Sequence, residues 1–179
     1  MGFVDCVFFL GDVGLVQGDL GQVEIDLGLY LAVENIHKNL LERDFKISNY
    51  QGKKIVVFFF PWADTCGFTG ESIAFTNLQH EFDRLDCIVI GISKDNQKKQ
   101  GKFREKYNLT CELGADFEND VCEQFGVWVE KSMYGKKYMG IQRSTFLSNR
   151  KGIIVNIWEK VKVPGHAEEV LETLKKVNN

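Results

Sequence analysis

Six consecutive apolar residues, Ile55 to Phe60, stopped by Pro61, constrain this chain more than any other feature. A strand with one wet face alternates apolar and polar residues. An unbroken apolar run reads instead as a strand covered on both faces, as in a sheet flanked by helices. Cys87 to Ile92 repeats the pattern and ends at Ser93. Between the two runs Phe75, Leu78 and Phe82 fall at helical spacing. Asp95 to Tyr107 is polar with Phe103 and Tyr107 on one face, which predicts a surface helix. Thr110 to Leu113 reads as a short strand and Asn119 to Phe125 as a short helix. Ser144 to Leu147 and Ile153 to Trp158 flank Asn149-Arg150-Lys151-Gly152, a hairpin signal. His166 to Val177 carries the stripe Ala167, Val170, Leu171, Leu174 and Val177, which predicts a closing helix.

Strands alternating with helices, then a hairpin and a last helix, predict an α/β sandwich with a mixed central sheet flanked by helices. No internal repeat and no interdomain linker interrupts it. Residues 1–40 read differently. Gly2, Gly11, Gly14, Gly18, Gly21 and Gly28 break up short apolar pieces, and six acids fall there with no Lys or Arg before Lys38. The expectation is an N-terminal extension over 1–40 that packs poorly on a single domain over 41–179.

Composition narrows the function classes. An apolar share of 44% with 26% charged residues suits a soluble globule and excludes disordered and collagen-like chains. No stretch approaches the roughly 20 apolar residues of a membrane span. The net charge of -3 does not fit a phosphate-backbone binder, and most of the 14 Phe fall on strand or helix core positions with no interleaved basic stripe. Neither nucleic acid nor membrane is an expected partner. The start lacks the basic residues of a secretory signal and the Arg and Ser of a transit peptide. The five cysteines are odd in number and form no C-x-x-C pair. Free thiols in a reducing cytoplasm are the expectation. His37, His80 and His166 have no metal-ligand spacing, so no metal is expected, and such histidines commonly pair with carboxylates on helix surfaces.

The chemistry is expected in Phe58 to Glu71, where a buried strand gives way to a helix. Ligands favour the carboxyl ends of such strands. A cysteine there, Cys66, would meet unpaired backbone N–H groups and the positive end of a helix dipole, which favour the nucleophilic thiolate. A small buried apolar residue is the competing reading of any free cysteine. That reading is preferred for Cys87, Cys111 and Cys122, although Cys122 on its short helix is also a candidate resolving thiol. Cys6 is given no role. Lys131, Lys136 and Lys137 around Tyr134 and Gly135 read as a solvated loop bordering the site.

From Lys46 to Val177 the chain resembles the peroxiredoxins, in their bacterioferritin comigratory protein (peroxiredoxin Q) branch. The resemblance rests on Pro61, Thr65, Gly67, Thr69 and Glu71, which match P-x-x-x-T-x-x-C and T-P-G-C-T-x-E in register. A second block, Trp128 to Leu147, is similar to the family's downstream segment, with Arg143 at its active-site arginine. The resemblance implies a thioredoxin-like fold and a thiol-dependent peroxidase that reduces hydrogen peroxide and organic hydroperoxides in antioxidant defence. It implies thioredoxin or a small thiol as reductant, no cofactor, and a monomer or weak dimer. Thr65 would hold peroxide and thiolate, Arg143 would lower the thiol pKa and bind oxygen, and Pro61 and Glu71 would border the substrate.

The chain departs from the pattern at its nucleophile. In register the peroxidatic cysteine falls on Phe68, the frequent resolving cysteine on Ile73, and Cys66 takes the slot usually held by Pro or Ser. Two residues of displacement along the chain exceed what near-attack geometry tolerates unless the turn is rearranged. Gly67 and Gly70 permit such a rearrangement. Two readings follow: a peroxidase that uses Cys66, or a catalytically degenerate thioredoxin-like protein retained for binding. A locally altered coding record is a third.

Overall fold

The computed structural model describes Tyr50 and residues 52–63, 69–117, 121–133 and 135–177. The expectations for residues 1–40, Cys6, His37, Thr65, Cys66 and Phe68 lie outside the described residues.

The run that stops at Pro61 forms β1 (Lys54–Phe59), with Phe60 continuing the ladder by donating its N–H to Ile92 O at 3.0 Å. β2 (Cys87–Ser93) pairs with it in parallel, from Lys54 opposite Cys87 to Phe59 opposite Ile92. β6 (Ser144–Ser148) pairs with its other edge antiparallel, so that Phe59 faces Ser144. β3 (Glu112–Ala115) and β7 (Ile154–Trp158) complete a five-stranded mixed sheet in the order β3-β2-β1-β6-β7.

The unbroken apolar character of β1 follows from its position at the centre of that sheet. Val56, Phe58 and Phe60 point to one buried cluster, while Val57 and Phe59 point to another on the opposite face. The first cluster is covered by α1 (Thr69–Asn77), α2 (Gln79–Arg84), α3 (Gln97–Tyr107) and α5 (His166–Lys176), which contribute Phe75, Phe82, Phe103, Val170 and Leu174. The second is covered by α4 (Val121–Gln124) and Phe125, with Val127 and Ile141. Phe58 and Phe75 stack with ring centroids 4.7 Å apart. Beneath Phe58 lies Gly91, where a Cβ would come within 2.6 Å of Phe58 Cζ.

Several boundaries differ from the expected ones, for local reasons. The Phe75–Phe82 stretch is two helices that break at Leu78, whose N–H is shared between Ala74 O and Phe75 O. Both phenylalanines stay fully buried across the break. α3 starts after Asn96, whose side chain accepts from Lys99 N–H at 2.9 Å, and stops at Asn108 in the left-handed conformation. The β6–β7 turn is held by Asn149 Oδ1, which accepts from the N–H groups of Lys151 and Ile153.

The solvated loop expected at Lys131 to Lys137 is instead a hairpin. β4 (Trp128–Met133) and β5 (Lys136–Ile141) form a separate two-stranded sheet that turns at Gly135, φ 76°. Lys136 and Lys137 are exposed on it, while Lys131 is half-buried and donates to Ile141 O.

Candidate active site

The sheet topology brings three chain segments to one edge. The parallel strands β1 and β2 end there, α1 begins there, and the antiparallel β6 starts there because Ser144 lies opposite Phe59. Arg143 and Glu71 meet at this edge. Arg143 is the residue before β6 and Glu71 lies in the first turn of α1.

Arg143 Nε lies 3.6 Å from Glu71 Oε2, with the glutamate side chain 1% exposed and the arginine 15%. That distance is a charge contact rather than a hydrogen bond. Among the described residues neither carboxylate oxygen of Glu71 has a hydrogen-bond partner. Burial accordingly pushes its pKa up to about 7, and the Arg143 charge opposes the rise without cancelling it. Burial likewise lowers the pKa of Arg143, with Glu71 pulling the other way. Lys131 is lowered by burial and then by the Arg143 charge. Among the described residues the edge therefore sets Arg143 and Lys131 against one carboxyl whose burial disfavours its charged form. Such a site favours an anion, whether a thiolate or a developing oxyanion.

Behind Arg143 lies a histidine that the sequence reading put on a helix surface. His166 is buried, and its Nε2 sits 2.8 Å from Thr145 Oγ1. Its ring packs edge-on to Phe75 and Trp158. Burial lowers its pKa; Glu169 and Glu168 oppose this, and Arg143 adds to it. The expected carboxylate pairing is thus replaced by a hydroxyl partner, because the ring lies under the helix rather than on it.

For each of the described thiols, burial disfavours the nucleophilic thiolate. Burial raises Cys87 to about 12 and Cys111 to about 11. Burial first, then the Asp116 charge, raises Cys122. All three are packed in the core, in agreement with their reading as small apolar residues. Pro61 is half-buried just beyond β1, and Ala63 two residues on is buried. Ala63 N–H donates to Asp95 Oδ2, a tie that the sequence reading missed. The signal available for it was a polar Ser93-x-Asp95 at the carboxyl end of an apolar strand. Among the described residues no group of three His, Cys, Asp or Glu could hold a metal ion, and no helix is long and apolar enough to cross a membrane.

Comparison with known proteins identifies the family and the fold. The AhpC/TSA family profile matches residues 32–157. Peroxiredoxin Bcp of Bacillus subtilis is 47% identical over 130 residues, which cover 73% of this chain and 83% of that one. Peroxiredoxin Bcp of Escherichia coli K12 is 38% identical over 129 residues, 72% of this chain and 83% of that one. Among solved structures, the bacterioferritin comigratory protein of Xanthomonas campestris, described with alkyl peroxide reduction activity, superposes with a TM-score of 0.70 at 39% identity. The match covers 74% of this chain and 84% of that one. BcpB of Mycobacterium tuberculosis superposes with a TM-score of 0.64 at 30% identity, covering 74% and 86%.

Proposed function

The chain belongs to the AhpC/TSA family, in its Bcp and peroxiredoxin Q branch, and from that membership we propose that it is a thiol-dependent peroxidase whose reactive thiol is Cys66. Hydrogen peroxide and alkyl hydroperoxides are its substrates, and thioredoxin or a small thiol in the cytoplasm is its reductant. The observation that carries the proposal is the pairing of half-buried Arg143 with buried Glu71 at the edge where β1 ends and α1 begins.

In the reaction a thiolate attacks the terminal peroxide oxygen. An S–O bond forms as the O–O bond breaks, sulfur gives up two electrons, and the departing alkoxide or hydroxide takes a proton. Arg143 offers its charge to the thiolate and to the oxyanion that develops. Glu71, sharing that guanidinium, holds it in place and tempers its charge. Two reductant thiols then return the electrons to the sulfenic acid, yielding thiol, disulfide and water.

A second reading rests on Phe68, which occupies the register position of the family's peroxidatic cysteine. In that reading the protein keeps the fold and the Arg143–Glu71 pair but performs no chemistry. Reduced protein mixed with hydrogen peroxide and thioredoxin, with NADPH consumption followed, separates the two. Turnover that Cys66→Ser abolishes supports the peroxidase; no turnover by the unaltered chain leaves the catalytically silent reading.

A further inference from the structure

On the opposite side of the β1 end from Arg143 lies a buried polar cluster around Asp95. Asp95 is 2% exposed, yet its carboxylate takes three donors. Oδ2 accepts from Ala63 N–H at 2.5 Å and from Ser93 Oγ at 2.9 Å, and Oδ1 accepts from Lys99 Nζ. Ser93 Oγ in turn accepts from Asp95 N–H and from Gln100 Nε2, and Gln100 Nε2 reaches Gly114 O on β3. Ser93 and Gln100 are as buried as Asp95. The cluster thus ties the ends of β2 and β3, through the first turn of α3, to the backbone of residue 63.

Burial alone does not account for a carboxylate in this place. A buried charge is costly unless its donors are all in position, and a neutral side chain could cap the end of β2 more cheaply. What the carboxylate adds is a charge-assisted hold on Ala63 N–H, stronger than a neutral hydrogen bond. Trp62, 48% exposed, lies with Lys99 Nζ 5.2 Å above its ring, so the same lysine braces the side chain before Ala63.

We propose that Asp95 is a positioning residue for the thiol chemistry: by clamping the Ala63 amide it sets the direction in which the chain leaves β1 toward Thr65 and Cys66. The inference rests on the assignment of Cys66 as the reactive thiol. It acts through geometry, by way of the Ala63 amide that Asp95 holds.

The test compares the full-length chain with Asp95→Ala, Asp95→Asn and Ser93→Ala. The first readout is the pH profile of Cys66 alkylation by iodoacetamide, followed by mass spectrometry of its peptide. The second is amide hydrogen exchange at Ala63. In Asp95→Ala, Ala63 exchange accelerates, the alkylation midpoint moves to higher pH, and peroxide turnover falls by up to about a hundredfold, the order an ångström of misplacement costs. Asp95→Asn, which keeps an oxygen for the Ala63 amide, restores the Cys66 profile toward that of the parent. Were Asp95→Ala not to fold, Ser93→Ala, which removes a donor to Asp95 Oδ2, carries the same comparison, with a smaller shift in the same direction. Faster Ala63 exchange with an unchanged Cys66 profile overturns the proposal. Because alkylation is read without peroxide, a parent chain that shows no turnover overturns the peroxidase reading and leaves this test intact.

Discussion

Among the described residues neither oxygen of the Glu71 carboxyl has a hydrogen-bond partner, and the Arg143 charge lies 3.6 Å away. The Glu71 pKa in the folded protein, about 7 against an ordinary 4.5, means that the native state holds the proton more tightly than the unfolded chain. This contribution to stability is complete below pH 4.5 and is lost as pH rises to about 7. Glu71→Gln cannot titrate, so the Glu71 share of the pH dependence of the urea midpoint should vanish across that window, leaving the opposite slope of His166, whose pKa burial lowers. The slope removed corresponds to a few kcal/mol, since one pKa unit is about 1.4 kcal/mol. An unchanged slope would place the titration elsewhere. Phe68 poses the second question at this scale. Phe68→Cys should raise the rate of peroxide consumption by orders of magnitude, because it returns a thiol to the family's register position. A variant no faster than the parent would mean that the site has diverged at more than that residue, and that family membership here describes ancestry.

At the scale of elements, close approach governs the β1–β2 pair. Gly91 lies directly under the Phe58 ring, and Phe58 is itself wedged against Phe60 and Phe75. Gly91→Ala should therefore lower stability by about 1–3 kcal/mol, the usual cost of overpacking, as read from thermal or urea unfolding. Phe58→Ala should cost more, about 3–5 kcal/mol, because it empties the centre of the first cluster. The β4–β5 hairpin escaped the sequence reading for a physical reason. Trp128 and Ile141 at one end reach the second cluster, while most of the remaining residues stand in solvent on both faces. No alternation of apolar and polar residues marks such a ribbon, and Gly135 between the two stretches was the one turn signal on offer. The break at Leu78 was hidden in the same way, since Phe75 and Phe82 keep their spacing through it.

For the molecule as a whole, the two clusters on either face of the sheet decide which thiols can react. Cys87 and Cys111 lie in the first and Cys122 in the second, and burial raises all three. In the folded protein at pH 8 none of these three should react with a thiol reagent over a time in which each does so in denaturant, as peptide mapping would show. Labelling of Cys87 in the native protein would mean that the first cluster opens readily. The sheet was legible in the chain itself. Apolar runs, their stops and helical stripes are local patterns, and a strand covered on both faces has few ways to be written other than Ile55 to Phe60. The motif around Pro61 and Glu71, with Arg143 far downstream, was legible as a resemblance on the same footing. What the motif left undetermined is which side chain each polar group finds. That depends on the register that sets Phe59 against both Ile92 and Ser144. It is this register that brings Arg143 to Glu71 and sets the end of β2, with Asp95 just beyond, beside the chain leaving β1. Thr145, in turn, sits at His166 because α5 packs back over the sheet. Pairings between residues far apart in sequence leave no periodic trace along the chain, because their energy comes from burial and alignment that exist only once the sheet has closed.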